Sequence, residues 1–414
     1  MRAHRAAGRG DAGVHHAYAD GGGRAALRVV LALLALAAAL CCLPAGAAAE
    51  DAGGAADMRE ALDEVVSGLD FSGLEDVELT LPGWPRTLGV EEAVRAIASG
   101  EALSAEDMVA SALGLFFDAL SGLGALMLSL MLPVLLASLL SHTLVAEGDS
   151  LGSLVRSVCF VLILIPIVLL VIGELEHARE TIVAMTTRME KMLPMLLALL
   201  TAVGGNASSA FLHPVVVAAS GSMVFLAREV ILRLVMCTCA VTAVNHLSDR
   251  AHLTRMAQLL RSAVCWLLGV SFTVFLGAMS LQGVCSASID GVAIRAAKYA
   301  VDNFVPVVGG MFSDTMDTLV GCTLIVKNAL GVAAVLVLGA VILGPMIRTL
   351  AVVFVMKLSA ALLEPVADAE VIGAIGDFSR TIVLFLITML CVGTMYFLLI
   401  VQMLLVGNLT VMLR

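Results

Sequence analysis

Apolar runs long enough to cross a membrane constrain this chain more than any other feature. Residues 263–281, 329–346 and 381–406 each approach or exceed the roughly 20 residues that a helix needs to span the hydrocarbon core. Sixty percent of the residues are hydrophobic and 14% are charged, a balance that soluble domains do not show. The alternating short strands of a membrane β-barrel do not occur in the sequence. We therefore predict an all-α, polytopic integral membrane protein with broken or re-entrant helices.

The first 49 residues have the order of a secretory signal peptide. Five arginines separated by glycine and alanine precede a short apolar run at 29–40, and Ala47-Ala48-Ala49 suits a signal peptidase. We interpret residues 1–49 as a signal peptide with a long n-region. An uncleaved first membrane helix is the alternative.

Residues 50–112 differ from the rest of the chain because they are strongly acidic. Fifteen acidic residues stand there against three arginines. A segment poor in basic residues that follows a signal peptide belongs outside the cytoplasm. Pro82-Gly83-Trp84-Pro85 predicts a turn between two short amphipathic helices. We therefore expect a small extracytoplasmic cap at 50–112 and a polytopic helical domain at 113–414.

Ionisable residues concentrate between two apolar runs, from Gln282 to Asn328. In so apolar a chain these groups face water, the protein interior or each other rather than lipid. The spacing predicts cations on one helix and carboxylates on the next. Three interpretations stay open: a solvated hairpin, a re-entrant element that lines a polar path, and a docking surface. The candidate residues are Asp290, Arg295, Lys298, Asp302, Asn303, Asp314, Asp317 and Lys327.

Glycine and proline predict breaks in several helices. Proline fixes φ and removes a backbone donor, and glycine allows sharp turns. We expect breaks at Gly204, Gly205, His213 and Pro214, and again at Pro306, Gly309 and Gly310.

Three polar segments interrupt the apolar pattern elsewhere. We interpret Glu174 to Lys191 as a solvated surface helix and Asn245 to Arg261 as a basic cytoplasmic one that is either a surface helix or a docking surface. Leu362 to Arg380 reads as another interrupted polar segment. Arg233 follows Glu229 by four residues, so these two can form an ion pair on one helix.

No motif of enzyme chemistry occurs. GxSG, HExxH and Walker A strings are missing from the sequence, and the cysteines of the apolar stretches are scattered, which favours free thiols. Net charge is −10 without a basic patch, so nucleic-acid binding has no support. We expect no catalytic residue, no cofactor and no metal site.

Long strings in the chain resemble one family. SSAFLHPVVVAAS, LTRMAQLLRSAVCWLLGVSFTVFLGAMSLQG, ASIDGVAIRAAKYAVDNFVPVVGGMFSDTMDTLVG and the closing GNLTVMLR strongly resemble stage III sporulation protein AE. The likeness extends from about Leu113 to Arg414, with a looser match in the acidic cap. The arginine- and glycine-rich start departs from the family. This departure affects only the assignment of the start codon.

The resemblance implies a role in endospore formation. Proteins of this family are thought to act in the mother-cell membrane around the forespore, with the other stage III sporulation A proteins. The implied partners include the cytoplasmic ATPase, stage III sporulation protein AA, and stage II sporulation protein Q across the intermembrane space. Together they would form a channel that sustains late forespore gene expression under sigma G. The resemblance carries over no catalytic residues.

Two functional hypotheses follow, besides an intramembrane enzyme, which lacks a motif. The first is a non-enzymatic membrane component of that channel, either its pore or its scaffold. The second is an autonomous secondary transporter, with a substrate site formed by broken helices around Gly204-Gly205 and Pro306 to Gly310.

Overall fold

The computed structural model describes residue 92 and residues 105–144, 150–202, 206–247, 253–304 and 309–412. Every regular element within these ranges is helical, which confirms the all-α prediction. The predicted signal peptide at 1–49 and most of the acidic segment at 50–112 lie outside the described residues. The described residues contain eight α-helices and one π-helical segment, Leu226–Ile231. The α-helices are α1 (Ala105–Gly122), α2 (Gly124–Leu144), α3 (Ser150–Ala202), α4 (Asn206–Phe225), α5 (Leu232–Leu247), α6 (Thr254–Phe304), α7 (Gly309–Leu363) and α8 (Ala369–Met412).

Among the described residues, five helical stretches are long and apolar enough to cross a membrane. They are Phe160–Ala202, Leu212–Leu247, Thr254–Gln282, Thr323–Leu363 and Ala369–Val406. This finding confirms a multi-pass helical protein. A sixth candidate is the pair of helices α1 and α2, which bend by 42° relative to each other.

A bend separates α1 from α2 within the apolar stretch at 113–140. Leu123 lies between two glycines, and its N–H donates to the carbonyl of Leu120 at 3.1 Å, three residues back. Because this tighter turn interrupts the regular four-residue pattern, the axis changes direction there.

Helix α3 differs from the prediction. We expected Glu174 to Lys191 to form a solvated surface helix, but this segment lies within one helix of 53 residues. Ala178, Ile182 and Met185 recur at helical spacing and are fully buried. They continue the apolar stripe of the span, so the polar segment keeps one face inside the bundle.

Helices α4 and α5 form one continuous stretch through the π segment, and Leu212–Leu247 is long and apolar enough for one span. Helix α4 also continues through His213 and Pro214, which corrects the predicted break at these two residues. Membrane helices tolerate proline because neighbouring groups satisfy the freed carbonyl. Helix α3 ends at Ala202 and α4 begins at Asn206, on either side of Gly204 and Gly205, which lie outside the described residues.

Helix α8 lies at the centre of the bundle. In the most apolar 18 residues of its span, 67% of the residues are buried inside the bundle. The corresponding share is 44% for α7 and at most 28% for the other spans. Helices α7 and α8 are joined at the turn 364–368, which confirms the predicted interruption there, and Val366 N–H donates to Leu363 O at 2.9 Å. The pair is antiparallel, because Gly331 approaches Leu404 while Ile342, further along α7, approaches Gly393, which precedes Leu404 on α8.

Candidate functional site

Polar contacts tie the central helix α8 to its neighbours at one end of the bundle. Asp377 on α8 lies 3.1 Å from His246 Nε2 at the end of α5, and it accepts from Arg261 of α6 at 3.3 Å. Arg380, one turn further along α8, donates to the same carboxylate at 3.2 Å. Arg261 also donates to the backbone carbonyl of Asp377 at 3.1 Å. One carboxylate therefore joins three helices, and each of its oxygens has a partner.

This cluster corrects the interpretation of Asn245 to Arg261 as one surface helix. Helix α5 ends at Leu247 and α6 begins at Thr254. The side-chain oxygen of Asn245 accepts from the N–H of Leu253 at 2.8 Å and from the hydroxyl of Thr254 at 3.2 Å. Polar residues that sequence reasoning assigned to a cytoplasmic surface therefore hold two helices against α8.

A second set of contacts joins α3 to the α7–α8 pair. Glu174, which is only 2% exposed, accepts a hydrogen bond from the hydroxyl of Thr349 at 2.8 Å. The hydroxyl of Tyr396 on α8 donates to Thr186 Oγ1 on α3 at 3.1 Å. A buried polar group needs such partners, because its desolvation is otherwise uncompensated.

A third set of contacts lies near the far end of α8. Lys327 of α7 is 1% exposed, and its ammonium donates to the carbonyl oxygen of Leu404 at 2.9 Å. Gln402 donates to the carbonyl of Met279 on α6 at 3.1 Å. The predicted site residue Lys327 is thus an interior residue that links α7 to α8.

The other residues of the predicted polar site lie on long helices rather than on two short ones. Asp290, Arg295, Lys298, Asp302 and Asn303 belong to the last part of α6, and Asp314 and Asp317 belong to the first part of α7. Their side chains lie outside the described part of the structure, so their grouping stays a prediction. Gly309 and Gly310 begin α7, α6 ends at Phe304, and Pro306 lies between them, outside the described residues.

The outer face of α3 is apolar in its first part and charged further along the helix. Leu162, Ile165 and Leu169 are exposed along this face. Further along the same face of the helix the exposed side chains become charged; they are Glu176, Arg179, Glu180, Glu190 and Lys191. The opposite, inner face of this charged part contacts α8, where Tyr396 bonds to Thr186 of α3. Tyr396 belongs to the apolar stretch Ala369–Val406. Lipid is a poor solvent for such a face.

Sequence reasoning missed most of the interior contacts. Asp377 was noted only as part of a polar segment, and Glu174 only as part of a surface helix. The sequence signal for these contacts is an isolated ionisable residue in a long apolar run, because such a residue needs a partner inside the bundle. No group of three metal-ligating side chains lies close enough to hold an ion among the described residues. The contacts described here hold helices together.

Long apolar helices tied by buried polar contacts define a multi-pass helical membrane protein. The model of the family Stage III sporulation protein AE matches residues 88–407. Stage III sporulation protein AE of Bacillus subtilis (strain 168) is 31% identical over 304 residues, which cover 67% of this chain and 76% of the relative. The chain belongs to the stage III sporulation protein AE family, which confirms the resemblance and implies a role in sporulation. No solved structure matches the chain.

Proposed function

We propose that this protein is a non-enzymatic component of a channel complex between mother cell and forespore, located in the mother-cell membrane that surrounds the forespore. Its partners in this proposal are the other stage III sporulation A proteins, including the cytoplasmic ATPase AA, and stage II sporulation protein Q across the intermembrane space. The complex would support late forespore gene expression. Membership of the family is the first support for this proposal.

The charged outer face of α3 is the observation that carries the proposal. Moving a charged side chain into the centre of a bilayer costs about 2.5–3.5 kcal/mol on insertion scales. Five charged side chains on one lateral face therefore favour a cover of protein or water over lipid. A helix of 53 residues is longer than the hydrocarbon core, so water covers part of this face, and in a channel complex a partner subunit would cover the rest. The interior contacts of α8 support a rigid bundle that presents this face.

Replacement of charges on this face tests the proposal in the sporulating host. The double variant Glu180→Leu/Glu190→Leu makes the face more compatible with lipid. We expect it to accumulate in the membrane, to lose copurification with the other stage III sporulation A proteins and to reduce a late forespore reporter. The control is Leu162→Val/Leu169→Val, which changes the apolar part of the same face and is expected to behave as the natural protein.

Two results would contradict the proposal. One is full reporter activity and normal copurification in the leucine variant, because lipid then covers this face without consequence. The other is transport of a solute by the purified protein alone in liposomes, which would favour the secondary transporter.

The predicted polar residues between Gln282 and Asn328 need a separate measurement. Single cysteines at Ser288, Asp302, Ser313 and Asp317, in a cysteine-free background, report access to a membrane-impermeant thiol reagent. Labelling of all four from outside indicates an exposed hairpin available for docking. Labelling at one edge only indicates an element that lines a path. Labelling from the cytoplasm contradicts the predicted topology.

A further inference from the structure

A cleft lined by arginines lies between α3 and the π segment. Its volume is about 260 Å³, below the 300–1,000 Å³ of pockets for drug-sized ligands. The cleft is separate from the contacts that tie α8 to its neighbours. Its lining side chains are Leu175, Arg179, Arg228, Glu229, Leu232, Arg233 and Met236.

The charges of this cleft do not cancel. Arg233 forms an ion pair with Glu229, which accounts for one arginine and the one carboxylate of the lining. Within the described part of the chain, no carboxylate lies within ion-pair distance of Arg179 or Arg228. The Nε of Arg228 is buried and has no hydrogen-bond partner there. Two guanidinium groups are thus left to bind an anion.

The π segment explains why the arginines converge. The N–H of Leu232 donates to the carbonyl of Ala227, five residues back, instead of the four-residue step of an α-helix. In an α-helix, Arg228 and Arg233 would lie far apart around the axis, because five residues exceed one turn by more than a third. The wider turn brings both toward one side, and π turns frequently occur at functional sites.

From this geometry we infer that the cleft binds a phosphate group. Guanidinium groups bind phosphate through paired, parallel hydrogen bonds, and an arginine suits this role better than a lysine. The volume fits a small oxyanion. Leu175, Leu232 and Met236 line the rest of the cleft, so it also accommodates the apolar part of a molecule attached to that phosphate. Two sources supply this chemistry, a phospholipid headgroup and free inorganic phosphate.

Binding measurements on the purified full chain in detergent distinguish the two sources. The probes are short-chain phosphatidylglycerol and inorganic phosphate, each titrated by isothermal calorimetry. We expect saturable binding of at least one probe. Arg179→Gln is expected to weaken it at least tenfold, and Arg228→Lys is expected to weaken it less, since lysine keeps the charge but loses the paired hydrogen bonds. Arg188→Gln, on the same helix as Arg179 but outside the cleft, is expected to bind as the natural chain does.

Each outcome decides a point. Binding of phosphatidylglycerol alone identifies the headgroup of a lipid, and binding of inorganic phosphate alone identifies a free anion. Binding of neither probe overturns the inference, as does undiminished binding by Arg179→Gln. Arg179 is exposed, so its replacement leaves the packing intact, and an unchanged melting temperature of the variant verifies this point.

Discussion

The ammonium group of Lys327 donates a hydrogen bond to the backbone carbonyl oxygen of Leu404 at 2.9 Å, although 77 residues separate the two along the chain. One turn after Lys327, Gly331 allows the side chain of Leu404 to approach the backbone of α7. The buried cation of Lys327 and the lack of a side chain at Gly331 thus determine the same point of contact between α7 and α8. Stability measurements can separate these two contributions.

Removal of the Lys327 side chain is expected to destabilise the bundle. Lys327→Ala removes a charge-assisted hydrogen bond, worth about 1.5–3 kcal/mol, and leaves a cavity. Lys327→Met fills most of that volume and is expected to cost less than the alanine variant. The measurement is equilibrium unfolding in mixtures of detergent and sodium dodecyl sulfate. Lys357→Ala, which removes an exposed cation of the same helix, is the control and is expected to stay within about 0.5 kcal/mol. Equal losses for Lys327→Ala and Lys357→Ala would contradict the structural role of Lys327.

Gly331→Ala is expected to push α7 and α8 apart. A Cβ atom at this position would overlap the side chain of Leu404, and such overpacking costs about 1–3 kcal/mol. Gly339→Ala on the same helix meets no atom within 4 Å, so it is expected to gain up to about 1 kcal/mol from helix propensity. The free energy of unfolding of each variant tests the pair. The double variant Gly331→Ala/Leu404→Ala is expected to recover part of the loss, and a purely additive result would argue against the contact.

Asp377→Asn is expected to destabilise the end of the bundle where α5, α6 and α8 meet. Arg261 is 16% exposed and Asp377 23%, so the cost of losing the carboxylate lies between that of an exposed pair, about 1 kcal/mol at most, and the roughly 3–5 kcal/mol of a fully buried one. Arg380 is 59% exposed, so Arg380→Gln is expected to cost less than about 1 kcal/mol. Thermal unfolding of the purified variants tests this order of effects. A larger effect for Arg380→Gln than for Asp377→Asn would refute it.

Thr349→Val is expected to destabilise the contact between α3 and α7. The change removes the donor that satisfies buried Glu174, which leaves a carboxyl group short of a partner at a cost of about 1–3 kcal/mol. Glu174→Gln keeps an acceptor for Thr349 and is expected to cost less. A double-mutant cycle of both changes measures their coupling energy. Zero coupling would mean that Glu174 and Thr349 do not stabilise each other.

Local patterns predicted the features that depend on nearby residues. The sequence predicts an interrupted polar segment from Leu362 to Arg380, and the turn at 364–368 between α7 and α8 confirms an interruption there. The pair of Glu229 and Arg233 follows from helical spacing, and the structure contains it. The predicted break at His213 and Pro214 was wrong, because neighbouring helices let a helix continue through proline. The side chains of the Gln282 to Asn328 stretch lie outside the described part, so that site stays a prediction.

The sequence by itself determined that this chain is helical, that it crosses a membrane several times and which family it belongs to. Those properties depend on the length and periodicity of apolar runs and on local strings, which need no knowledge of the fold. Only the tertiary structure decided that α3 is one helix with a buried face, that Asp377 joins three helices and that Lys327 lies inside. The physical reason is that a polar side chain in an apolar chain must find a partner, and the partners found here lie far along the sequence. The fold alone brings them within hydrogen-bond distance.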